Sequence, residues 1–268
     1  MNSIFSFKIA IQTIKEHFRT TIILTLLFVL MTAMYAGMFP QFEEALYEMM
    51  STGFGDSFNF LPHADQMATY VGFLTLELYQ IFWLLILAIM IGFIAASSIT
   101  KEIEAKTIDL LMSNPVSRKQ IVFEKFIGLI PMFLIINFCT MLTVMGITVA
   151  INQTLDIGNL ALVHIVSVPY FLAIISIGLL ISVLVDEKIK ASIIMIAIPF
   201  AMFFINSISL MTPNLEYLRS FTIFNYFDIF DVLKFGDVDI AGLFIYIAII
   251  TVCLIASLIY FEHKDLKV

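Results

Sequence analysis

Apolar runs alternate with short polar intervals along the whole chain. Six runs are long enough to cross a bilayer, which takes ~20 apolar residues in a helix: 20–42, 72–100, 121–150, 160–185, 191–211 and 240–261. Helix is the expected state, because a segment in lipid must satisfy its own backbone hydrogen bonds. The pattern predicts an all-α integral membrane protein with one transmembrane domain over 1–268. Pro131 and Pro199 fall inside the third and fifth runs, where neighbouring helices can satisfy a freed carbonyl.

The polar intervals carry their own patterns. Over residues 3–19, Phe7, Ile11, Ile14 and Phe18 share one helical face, and Lys8, Gln12, Lys15 and Arg19 share the opposite face. That predicts an interfacial helix lying on the leaflet with its cations at the headgroups; the plainer reading is the start of the first span. Residues 43–70 are acidic, with a short helix expected over Glu43–Met50 that breaks near Gly53 and Gly55. The longest charged interval is 101–125, KEIEAKTIDLLMSNPVSRKQIVFEK. There Ile103, Thr107, Leu110 and Leu111 recur at helical spacing, and Glu102 precedes Lys106 by four, the favourable order for a helical ion pair. Pro115 disfavours helix at Asn114, and Ser117 followed by Gln120 is a capping-box pattern before the next apolar run. The expectation is helix, turn, helix between two spans.

Composition agrees with the pattern. The chain is 61% hydrophobic with net charge −7, and its mean hydropathy of +1.02 exceeds what a soluble domain needs. The distribution of Lys and Arg sets orientation. With the N-terminus inside, Lys8, Lys15, Arg19, the five cations of 101–125, Lys188, Lys190, Lys264 and Lys267 lie on the inner side, twelve of the fourteen. Only Arg219 and Lys234 lie outside. N- and C-termini are therefore expected in the cytoplasm, with 101–125 beside them. The first run, with Met34 where a cleavage site after Ala36 would need a small residue, reads as an uncleaved signal anchor.

The central interval resembles the intracellular loop of type-2 ATP-binding-cassette (ABC) exporter permeases. The resemblance runs from Glu102 and Glu104 through Thr107, Asp109, Leu110 and Leu111 to Pro115, Ser117, Arg118 and Lys125. One departure is Lys106, where many members have Gly. The resemblance implies that 101–117 is a coupling helix seated on a separate ABC ATPase subunit, with Glu102, Glu104, Thr107, Asp109, Leu110, Leu111, Pro115, Ser117 and Arg118 carrying the contact. It also implies an N-terminal elbow helix, a second permease copy or paralogue (a homodimer being the simplest case) and a prokaryotic cytoplasmic membrane. ATP and Mg²⁺ would be bound by the partner, and no cofactor by this chain.

Candidate chemistry is sparse. No Gly is followed by Lys, so there is no phosphate loop, and there is no HExxH, GxSxG or CxxC; the chain is not expected to be an enzyme. Nothing points to nucleic acid. Cys139 and Cys253 sit inside apolar runs and read as inert thiols. His63 and Asp65 are two ligands in one loop, too few for a metal site, and none is expected. Met31, Met34 and Met38 could pass Cu(I), or simply fill gaps; the copper reading keeps open a permease linked to copper-enzyme maturation. Glu77 and His164 are placed near the outer ends of their spans, where the interface solvates them.

Residues 212–239 are unusually aromatic, with Phe221, Phe224 and Phe227 close to Asp228 and Asp231. Two readings stand: short re-entrant helices forming an outer gate, or an aromatic belt on the headgroups. The absence of Asp, Lys or Arg at mid-depth argues against a proton- or ion-coupled carrier and for an amphipathic or apolar cargo: a peptide, an antibiotic or drug, or a lipid-linked molecule. A membrane scaffold or sensor that keeps the ATPase dock is the alternative from another class.

Overall fold

The computed structural model describes residues 7–52, 60–107 and 116–264. Six helices in it are long and apolar enough to cross a membrane: α1 (Lys8–Ser51), α2 (Tyr70–Glu104), α3 (Arg118–Ala150), α4 (Ile157–Leu184), α5 (Lys188–Met211) and, after the short α6 (Ile229–Phe235), α7 (Ile240–His263). Among the described residues there is no strand, as the apolar pattern requires.

Helix packing sorts these elements by depth. α2 and α4 form the centre: 61% and 67% of their most apolar windows are buried within the chain, against 28% for α1 and α5 and 22% for α7. α1 packs along α3, α2 along α4 and α5, and α4 along α7. Without a hydrophobic drive between helices in lipid, close approach depends on small residues. At Gly178 an added Cβ would stand 2.7 Å from the Ala95 Cβ and 2.9 Å from the Gly92 carbonyl oxygen. At Gly128 it would stand 2.9 Å from the Ala10 carbonyl oxygen. These two glycines set the α2–α4 and α1–α3 spacings. The outward faces of α1, α5 and α7, with Ile23, Leu30, Ile193, Phe204, Phe244 and Val252, stay exposed.

Three features differ from the sequence expectation. Residues 8–19, expected as a separate interfacial helix, are the opening turns of α1, with no break at 19–20. The short helix expected over 43–50 is likewise the end of α1. At ~1.5 Å per residue, 44 residues exceed a hydrocarbon core of ~30 Å, so α1 projects beyond it. α2 contains a π-helical stretch over Leu74–Leu87, far longer than the usual single-turn bulge, and Glu77 lies half-buried within it.

The packing at Gly178 predicts a paired outcome. Gly178→Ala forces an overpacked contact that typically costs ~1–3 kcal/mol, and thermal stability of the purified protein in detergent falls. Gly146 has no atom within 4 Å of an added Cβ; Gly146→Ala leaves stability unchanged or raises it. Equal melting of Gly178→Ala and wild type is incompatible with this spacing.

Candidate functional site

The central loop begins where α2 stops, at Glu104. The stop is a Schellman cap: the Lys106 N–H donates to the Ile103 carbonyl at 3.1 Å and the Thr107 N–H to the Glu102 carbonyl at 2.9 Å. Lys106 takes the left-handed conformation, φ 54°. This is the position where the resembled family often has Gly, which adopts that φ without steric cost; here two cap hydrogen bonds hold a lysine in it. The loop ends at Ser117, whose Oγ accepts from the Gln120 N–H at 3.1 Å and opens α3, as the capping pattern predicts. Asp109, Leu110, Leu111 and Pro115 lie outside the described residues.

Glu102 and Glu104 do not belong to a separate coupling helix; they are the last turn of α2. Glu102 is buried and pairs with Lys125 of α3 at 2.6 Å, not with Lys106. Lys125 itself is 2% exposed, and its second carboxylate, Glu16 of α1, is 3.9 Å away. Glu16 also pairs with Lys101 at 2.8 Å. Three helices are joined by these four charges.

The same end of the bundle terminates helices with side chains from other helices. A helix leaves about four N–H and four C=O groups unpaired at its ends, and its dipole favours an anion at the N-terminus and a cation at the C-terminus. Glu124 of α3, fully buried, accepts from the Ile9 and Ala10 N–H groups of α1 at 2.8 and 3.2 Å. Its other oxygen accepts from Gln120 at 2.7 Å. Glu104 accepts from the Lys188 N–H at the start of α5, 2.9 Å. Arg118 donates to the carbonyls of Phe261, at 3.3 Å, and Lys264 at the end of α7. Lys264 donates to the Val183 carbonyl at the end of α4, at 2.6 Å, and pairs with Asp186. Every cap follows the dipole sign. Of the residues in this network, Glu102, Glu104, Ser117, Arg118 and Lys125 were marked by the sequence resemblance. Glu16, Glu124 and Lys264 were not; Glu124 was hidden because it sits inside an apolar run.

Inside the bundle, His164 is buried, 4% exposed, and not at an interface as expected. The Tyr79 hydroxyl lies 3.1 Å from its Nε2, and Asn137 Oδ1 contacts its Nδ1. Asn137 Nδ2 donates to the His164 carbonyl at 2.8 Å. These bonds select the Nδ1–H tautomer, with Nε2 accepting from Tyr79. The Trp83 and Phe171 rings close the group edge-on. The network ties α2, α3 and α4 together.

At the far end, residues 212–239 fold into 3₁₀ segments Pro213–Phe221 and Ile223–Tyr226 and then α6. Phe224 and Phe227 are buried, whereas Phe221 is 74% exposed, so the expected gate residues do not form one cluster. Phe224 packs on Phe203 of α5 and Tyr170 of α4. The Tyr246 hydroxyl donates to the Ile223 carbonyl at 2.7 Å. Asp228 caps α6, accepting from the Asp231 N–H. It also lies 2.8 Å from His63 Nε2, across 165 residues of sequence. The hydrogen bond to Asp228, with the charges of that carboxylate, Asp231 and Asp65, raises the His63 imidazole above its ordinary value against the effect of burial. Burial pushes the Asp228 carboxyl up, but the His63 bond and charge and the amides of Asp231 and Phe230 outweigh it and leave it low. Both shifts favour the charged pair. Burial and the Asp228 charge raise Asp231.

Six apolar helices, a polar interval anchored at both ends and a folded cap opposite it are the architecture of a multi-pass membrane protein. The sequence matches the family described as ABC-2 family transporter protein over residues 16–266. The chain belongs to that family. It is a membrane permease subunit of an ABC transporter, the partner of an ABC ATPase subunit and not itself the ATPase. No curated protein matches the sequence.

The buried Lys125–Glu102 pair yields a prediction. Glu102→Ala leaves the lysine charge without its closest partner, and breaking a buried pair costs ~3–5 kcal/mol; Glu16 at 3.9 Å moderates the loss. Glu102→Leu combined with Lys125→Met recovers most of the stability, since it removes both charges together. Thermal melting of the purified single and double variants measures this. A double variant no more stable than Glu102→Ala would contradict it.

Proposed function

We propose that this permease exports an amphipathic or apolar cargo, as one of two membrane halves driven by ATP and Mg²⁺ on the partner ATPases. The proposed setting is a prokaryotic cytoplasmic membrane, with both termini and the central loop on the cytoplasmic side and a second copy of this chain completing the pathway. The observation that carries the reading is the anchoring of both flanks of the loop: Glu102 and Glu104 before it and Arg118, Glu124 and Lys125 after it bind five of the six spanning helices to it or to each other. A force on such a loop reaches the whole bundle. The coupling contact itself falls to the exposed Thr107 and to Asp109, Leu110, Leu111 and Pro115. Glu102, being buried, positions the loop. The 212–239 segment is proposed as the seal at the outer end, supported by the burial of Phe224 and Phe227.

The coupling role is tested by reconstituting the permease with its ATPase. Leu110→Pro, a change that costs ~3 kcal/mol in a helix interior, is expected to leave insertion and yield intact and to abolish permease-dependent stimulation of ATP hydrolysis. Phe224→Ala with Phe227→Ala raises basal hydrolysis by loosening the seal. Full stimulation by Leu110→Pro would end the coupling reading.

Orientation has its own measurement. In a background without Cys139 and Cys253, single cysteines at Ser51, Gln153 and Asn214 react with an impermeant reagent on intact cells, and those at Ser113 and Lys188 do not. Outside labelling at Ser113 overturns both the topology and the function.

A further inference from the structure

The chain brings His63, Asp228 and Asp231 together at the end of the bundle away from the central loop. One ligand atom from each lies within 4.8 Å of the others. We propose that these three side chains form a divalent-cation site of the Zn²⁺ class that staples the segment before α2 to the start of α6.

The argument starts from donor type. One imidazole nitrogen and two carboxylate oxygens make a hard-to-borderline set, suited to Zn²⁺ and similar first-row divalent ions, and there is no thiolate or thioether in the trio to favour Cu(I). Three protein ligands leave a coordination position for water, as in open zinc sites. The geometry needs little change. Zn–N and Zn–O bonds of ~2.0–2.2 Å place adjacent ligand atoms roughly 3 Å apart or somewhat more, and His63 Nε2 and Asp228 Oδ2 are already 2.8 Å apart. An ion would take the place of the proton they share.

Two further observations support a site and not a lone ion pair. The ligands come from two segments far apart in sequence, and two of them are positioned by contacts outside the trio. The His63 ring stacks on Phe230 at 4.4 Å, and Asp228 is fixed as the α6 cap. Asp231 is one helical turn on; its backbone carbonyl accepts from the Asp237 N–H, and among the described residues its carboxylate accepts no hydrogen bond, which leaves those oxygens able to ligate. Second, Asp228 and Asp231 line a cleft of about 470 Å³ that also holds Asp237 and Asp239 and no basic side chain. That lining draws cations toward the trio. Lys234 is turned onto the Phe230 and Phe235 rings at 4.9 and 5.3 Å and to Gln66; Arg219 lies in the adjoining pocket that His63 and Asp228 also line.

The test uses the purified full-length permease in detergent at neutral pH, titrated with Zn²⁺ against a chromophoric chelator and followed in parallel by thermal melting. One ion per chain is expected, with a rise in melting temperature. Asp231→Asn removes a ligand without breaking the His63–Asp228 bond and lowers affinity at least tenfold; His63→Gln does the same. Asp65→Asn, in the same loop but outside the trio, and His263→Gln leave binding unchanged. X-ray absorption of the zinc-loaded protein should show a single imidazole. Binding unchanged in Asp231→Asn, or lost equally in Asp65→Asn, overturns the assignment, as does a stoichiometry that follows His263.

Discussion

Helix ends are the problem that this bundle solves first. Each unpaired N–H or C=O placed near lipid costs several kcal/mol, and six spans bring many of them to the central-loop end. The chain answers with side chains from other helices: Glu124 for α1, Glu104 for α5, Arg118 for α7 and Lys264 for α4. Because each cap comes from a different helix from the one it closes, termination and tertiary structure are the same set of bonds. A helix could not slide along its axis here without uncapping a neighbour. The buried Lys125–Glu102 pair adds a penalty against separation of α2 and α3 that an apolar contact would not carry.

The opposite end is held by different physics. Segment 212–239 is fixed mainly by ring packing, with Phe224 between Tyr170 and Phe203, and by single hydrogen bonds such as that of Tyr246 to Ile223. Ring packing depends mainly on area, so it tolerates small displacements that charged caps do not, while the His63–Asp228 pair at 2.8 Å holds the start of α6 to the segment before α2. Between the ends lies the Tyr79–His164–Asn137 group, buried and mutually satisfied. With the bonds of Tyr70 to Thr148, Tyr170 to the Leu84 carbonyl and Ser182 to the Ile99 amide, it fixes the mutual rotation of α2, α3 and α4. The bundle is thus tied by charged caps at the loop, by buried polar bonds at several internal levels, and mainly by ring packing at the cap.

What the sequence made legible follows from range. Spans, the Ser117 cap and the family resemblance rest on residues within a few positions of one another, and all were readable. The extent of α1 was not, because the amphipathic pattern with Lys8, Gln12, Lys15 and Arg19 on one face suggested a separate element, while nothing there breaks a helix. The π-helical stretch of α2 leaves no mark in composition. Partners separated by long sequence distances were invisible: Glu102 was matched with Lys106 on the helical ion-pair rule, whereas the structure gives it Lys125. His63 was read beside Asp65, its neighbour in the loop, and meets Asp228 and Asp231 instead. Glu124 looked like a charge at the edge of a span and is a buried helix cap.

Lys106 shows how the local and the global requirements meet. A non-glycine residue in the left-handed region costs ~1–2 kcal/mol, so the chain would be locally more comfortable with Gly. The Schellman bonds from Lys106 and Thr107 nevertheless form, next to the turn whose Glu102 pairs with Lys125 and whose Glu104 caps the α5 N-terminus. The departure from the family's glycine is therefore tolerated by the caps, and it has a mechanical consequence for the proposed coupling. A lysine at that φ has fewer backbone alternatives than glycine, so under the proposed coupling a displacement of the loop would be passed to α2 instead of being absorbed by a flexing hinge. In that proposed coupling the bonds of Arg118 to the Phe261 and Lys264 carbonyls would carry movement on the far side of the loop to the end of α7.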